Sequence, residues 1–172
     1  MNFKPSRKII TSNKTIDKNE IFLDENEFIF PDEIKSSYLL LNEKEIEKGI
    51  EILFESVKYL KKNYLETSLK IVLIPDALHI YKWKYPITIK SDYHKKEKIL
   101  INDEKLKTWD LISSKIKTFS KNQKITFIDL KSELSKIGEK EYIHGMRDAS
   151  HFSVKGYKYV ARILNEQAIS SK

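Results

Sequence analysis

The chain has 172 residues, 40% hydrophobic and 11% aromatic, which is enough apolar surface for one folded domain and leaves little room for a second. Thirty-two Lys and Arg stand against 25 acids for a net charge of +7, but the lysines are interleaved with Glu, as in Asn42–Lys48, so the excess reads as a solvated surface and not as a nucleic-acid-binding patch. Cysteine is absent, which excludes disulfides, thiolate metal sites and cysteine nucleophiles; with no apolar run of signal-peptide or membrane-span length, the chain as written is expected to be soluble and cytoplasmic.

Residues 1–20 are polar and lack a sustained period, so a poorly ordered arm is expected there, ahead of a single α/β domain over residues 21–172. Ile21-Phe22-Leu23 and Phe28-Ile29-Phe30 flank the polar Asp24–Glu27, which suggests two short extended pieces around a turn, stopped by Pro31. Leu41, Ile46, Ile50, Leu53, Phe54, Val57 and Leu60 then recur at three- and four-residue spacing, predicting an amphipathic helix over about 43–62. Asn42 is its expected N-cap, with Glu45 placed to reach back to the free amide.

Leu69–Ile74 is β-branched and apolar at consecutive positions and ends at Pro75, which predicts a strand buried on both faces. Residues 75–102 make an unusually long connection, of the kind that carries function or short irregular helices. Leu106, Trp109, Ile112, Ile116 and Phe119 mark a second helix over about 103–120, and Ile125–Ile128 reads as a second buried strand ending at Asp129. Tyr157, Val160, Ala161, Leu164 and Ala168 share one face of a final helix that starts near Ser153, its expected N-cap. Helix, strand, helix, strand is the rhythm of an α/β fold with a parallel crossover.

Ligands of parallel sheets gather at the carboxyl ends of the strands, so the residues just beyond them are the candidates. Two such places carry an Asp three residues before a His: Asp76-Ala77-Leu78-His79 and Asp148-Ala149-Ser150-His151. The first lies in an apolar turn and reads as structural, with Tyr81 and Trp83 beyond it as candidate substrate-wall residues that are as readily packing residues. His144, Asp148 and His151 could together hold Zn or Fe(II), but the Gly145 between them argues against helical alignment of the set. No cofactor is implied.

Asp148–His151 and the following Phe152-Ser153-Val154-Lys155-Gly156-Tyr157-Lys158-Tyr159-Val160-Ala161 resemble the last conserved block of the SGNH/GDSL serine hydrolases. Lys70–Asp76 with Tyr81 resembles that family's fourth strand, and Phe127–Leu130 its fifth, so residues of about 45–168 would cover the C-terminal half of such a domain. The resemblance implies a three-layer, flavodoxin-like fold, here incomplete. It also implies an acyl-enzyme mechanism on a small-molecule, glycan or lipid ester, with His151 as general base and Asp148 orienting it. A serine hydroxyl is a poor nucleophile until an imidazole takes its proton, and the imidazole needs a carboxylate on its other nitrogen.

The family's nucleophile turn and oxyanion donors are not identifiable, since none of the four glycines, at 49, 138, 145 and 156, stands with a Ser in a strand-to-helix turn. The expectation is therefore a half-site, in a fragment or an inactive relative. The alternative is a non-catalytic α/β interaction domain. An incomplete sheet would leave the strand at 69–74 with an apolar edge open to self-association, unless the pieces at 21–30 cover it.

Overall fold

The computed structural model describes residues 19–30, 34–35, 38–84, 86–90, 98–145 and 148–169. In chain order these form β1 (Glu20–Leu23), β2 (Asn26–Ile29), β3 (Ile34–Lys35), α1 (Glu43–Asn63), β4 (Lys70–Leu73), β5 (Lys82–Lys84), β6 (Ile87–Lys90), β7 (Lys98–Ile101), α2 (Asp103–Leu106), α3 (Thr108–Asn122), β8 (Thr126–Asp129), α4 (Lys131–Gly138), β9 (His144–Gly145), β10 (Asp148–Phe152) and α5 (Val154–Ile169). The protein is mixed α/β with a small parallel sheet, in which β4 and β8 pair in register from Lys70↔Thr126 to Leu73↔Asp129.

The first hairpin forms around Asp24 and Glu25, whose φ angles of 46° and 67° are the left-handed pair that a two-residue turn between twisted strands requires. It does not cover β4. Instead β1 takes β5 on its other side, Ile21 opposite Trp83, and among the described residues β4 has β8 as its single neighbour. Of the stretch expected as an arm, Asn19 and Glu20 are part of the fold. Glu20 is already in β1, and the Asn19 side chain both accepts from Thr88 N and donates to Thr88 O, each at 2.7 Å. Residues 1–18 lie outside the described residues.

Helix α1 starts as expected: Asn42 Oδ1 accepts from Glu45 N at 3.1 Å and Glu45 Oε2 accepts from Asn42 N at 2.8 Å. The second predicted helix is two. Asn102 caps α2, and at Lys107 the N–H is shared between the carbonyls of Glu104 and Lys105, so the chain turns before α3 begins. The strands expected to be buried on both faces are only half-buried at Ile71, Val72, Leu73 and Phe127, because a two-stranded sheet has too little neighbouring chain to cover them.

One large core runs from Ile21 and Phe30 through Leu78, Ile87 and Leu134 to Ile163; a second, smaller cluster joins Val57, Phe119 and Ile125 where α1 and α3 meet the β4–β8 sheet. No described helix is long and apolar enough to cross a membrane.

Candidate functional site

The block from 148 to 161 is built as a strand running straight into a helix. β10 pairs with β9 through Asp148↔Gly145 and Phe152↔His144, which leaves residues 149–151 without opposite numbers and breaks the strand's alternation. Asp148 and His151 thus stand on an irregular strand, where a loop was expected. In a regular strand residues three apart would face opposite ways; the bulge removes that constraint. The His151 side chain is exposed to solvent. The Asp148 side chain lies outside what the structure describes.

The junction between β10 and α5 is tightly held. Ser153 Oγ accepts from Gly156 N at 3.2 Å, as an N-cap should, and donates to Ile143 O at 3.0 Å, while Ser153 N donates to the same carbonyl at 2.9 Å. Gly156 is buried against it, and a Cβ there would stand 2.2 Å from Ile143 O and 2.9 Å from Phe152 Cβ. The glycine of the Gly-Tyr pair therefore admits a close approach of α5 to the chain before β9. His151 sits two residues ahead of this knot.

Tyr81 and Trp83, expected to line a substrate wall, are core residues, each 5% exposed. Phe30 packs on both rings, and Trp83 Nε1 donates to Leu78 O at 3.1 Å. Tyr81 ties down the chain before β10: its hydroxyl oxygen accepts from Ile143 N at 2.9 Å and His144 N at 3.3 Å and lies 2.8 Å from His144 Nδ1. With both lone pairs taken by amides, the phenol proton goes to Nδ1, which sets His144 as the neutral tautomer protonated on Nε2. Burial pushes the Tyr81 hydroxyl well above its ordinary pKa, against the smaller opposing effect of the Ile143 amide, so it stays protonated. His144 is thus buried with Nδ1 engaged; among the described residues no three His, Asp or Glu gather as metal ligands.

The other Asp-x-x-His pair does meet. β4 ends at Leu73, and Asp76 caps a short 3-10 turn over Ala77–His79 by accepting from Leu78 N at 3.1 Å. The same Oδ1 is 2.7 Å from His79 Nδ1, with the imidazole buried and the carboxylate one-third exposed. Trp109 and Tyr38 flank the ring, the Tyr38 hydroxyl lies 3.1 Å from Nδ1, and Leu106 O faces Nε2 at 3.3 Å. Nothing in the spacing of the sequence signalled Tyr38 or Trp109 as neighbours of His79, or Tyr81 as a neighbour of His144, since each pair is dozens of residues apart.

At the matching end of β8, Asp129 accepts from Ser113 Oγ and, at 2.9 Å, from Lys131 N. An aspartate engaged in local structure therefore stands at or just beyond the carboxyl end of both β4 and β8. No family model matches this chain, and neither does any curated protein or solved structure.

Proposed function

We propose that this chain carries the acid–base half of an SGNH/GDSL-type acyl hydrolase, with His151 as general base and Asp148 as the carboxylate that orients it. The observation that carries the reading is the position of His151: solvent-exposed, two residues before the Ser153 cap, next to backbone held by Ile143 and Gly156. A general base must reach a hydroxyl brought from outside, which a buried ring such as His79 or His144 cannot do without rearrangement. The mixed α/β class and the parallel β4–β8 pair are compatible with the C-terminal half of a flavodoxin-like three-layer fold. The serine and the oxyanion donors belong, on this reading, to a segment other than these 172 residues, and the substrate is an ester or other O-acyl compound. A second reading, a non-catalytic α/β interaction domain, draws on the uncovered side of α1.

The test restores whatever coding sequence precedes Met1 and measures hydrolysis of a short-chain aryl ester. His151→Ala is expected to lower kcat by about 10³-fold or more, because an unassisted serine hydroxyl reacts slowly. The circular-dichroism spectrum should show the variant folded, since the ring is exposed. Turnover equal to that of the unsubstituted protein would remove the reading.

A further inference from the structure

Helix α1 is longer and more apolar than its burial explains. Of the stripe that predicts it, Ile46, Ile50 and Val57 are buried, whereas Leu53 and Leu60 are 37% and 40% exposed. Ile52 and Tyr59 beside them are 59% and 66% exposed. Together with Gly49 and Ser56 they form, from Gly49 to the end of the helix, a side that carries no charged group, and a Cβ on Gly49 would meet nothing within 4 Å. At about 100° per residue, Ser56 stands about 180° from Glu47 and about 200° from Phe54. Those two residues bind α3: Glu47 Oε1 is 2.9 Å from Lys115 Nζ, and Phe54 stacks on Phe119 at 3.9 Å. The uncharged side therefore faces directly away from the rest of the domain.

Two of its polar side chains already donate within the helix. Ser56 Oγ donates to Ile52 O at 2.8 Å, and Asn63 Nδ2 donates to Tyr59 O at 2.7 Å, so neither demands water or a partner group if the surface is covered. The charges that border it are segregated along the axis. Glu43–Glu55 holds five glutamates and two lysines, a net of −3, and Ser56–Asn63 holds three lysines and no acid, a net of +3. An antiparallel copy of the same helix would lay each half on its opposite, and a parallel copy would lay like on like.

We propose that α1 pairs antiparallel with α1 of a second copy of this chain, about a two-fold axis near Ser56. Ile52 and Leu53 then meet Leu60 and Tyr59 of the other copy, and the small Gly49 and Ser56 let the two backbones approach. The interface is isologous, so it closes at two copies and leaves no further sticky surface. About that axis the two helices overlap over residues 49–63, about 22 Å, a small interface at the low end of those that give specific complexes, and the expected dissociation constant is micromolar. Self-pairing involves no residue of the proposed acid–base couple, so either can fail without the other.

Sedimentation of the 172-residue chain from about 1 µM to about 500 µM should show the mass rising from 20.3 kDa to twice that. Ile52→Glu with Tyr59→Glu should keep it at 20.3 kDa throughout, with the circular-dichroism spectrum and melting temperature unchanged. A charge-exchange pair makes the geometry specific. One variant carries Glu51→Lys and Glu55→Lys, the other Lys58→Glu and Lys62→Glu; each alone should associate at least about tenfold more weakly than the unsubstituted chain, and an equimolar mixture should regain the dimer. A monomer at every concentration overturns the proposal, as does a dimer indifferent to Ile52→Glu with Tyr59→Glu, or a mixture no tighter than its components.

Discussion

Tyr81 shows how much one hydroxyl can hold. It accepts from two successive amides and donates to a buried imidazole, joining β5's approach to the chain before β9 across about sixty residues of sequence. Tyr81→Phe keeps the ring's packing on Phe30 and Tyr142 but leaves the Ile143 amide and His144 Nδ1 without that partner. Buried groups stripped of a partner cost about 1–3 kcal/mol, and chemical denaturation should find a loss of that size. A loss below about 0.5 kcal/mol would mean that water replaces the hydroxyl and that the site is more open than its burial indicates. Asp76 and His79 make a comparable local unit, in which one carboxylate oxygen serves a turn amide and a ring nitrogen together.

At the level of elements, the junction of β10 with α5 decides where His151 stands. Ser153 and Gly156 act together there: the hydroxyl caps the helix, and the missing side chain lets the helix's first turn lie against Ile143 O. Gly156→Ala tests the close approach. Helix propensity alone favours alanine by about 1 kcal/mol, so an open position would be stabilised. The carbonyl 2.2 Å from the added methyl cannot yield without moving backbone, and the net outcome should be destabilisation by about 1–3 kcal/mol in thermal or urea unfolding. Glycine and serine in this block thus have a packing reason to be there, whatever chemistry the neighbouring histidine performs. The same elements show why an amphipathic pattern is not a burial map: α1 carries an apolar stripe of which α3 and the sheet cover only one side.

For the whole molecule, the coupling of the last helix to the rest of the fold has an electrostatic part that pH can read. Glu141 receives the ammonium of Lys155 and the hydroxyl of Tyr159, both on α5. The Lys155 partner first, and Tyr159 second, hold the Glu141 carboxyl below the ordinary glutamate range. A carboxylate whose folded pKa is depressed contributes stability that is complete above its unfolded pKa and disappears as pH falls through the folded value. Glu141→Gln should therefore melt lower than the unsubstituted chain at neutral pH, and the two melting curves should converge on acidification below the ordinary glutamate range. Because the pair is partly exposed, added salt should shrink the neutral-pH difference as well. A difference that persists unchanged at low pH would assign the effect to packing instead.

Much of the architecture was legible from local pattern. The capped start of α1, the hairpin around Asp24, the parallel pair of apolar strands and the start of α5 at Ser153 all rest on interactions between residues close in sequence or on simple periodicity, and these survive in any context. The Asp76–His79 pair was visible for the same reason, as two side chains three residues apart on a turn. What the tertiary structure decided is which apolar and polar side chains receive a neighbour. It sent Tyr81 and Trp83 into the core, joined Tyr81 to His144 and Tyr38 to His79, and left half of α1 bare, because burial depends on what the folded chain brings alongside and no spacing along a single strand or helix encodes that.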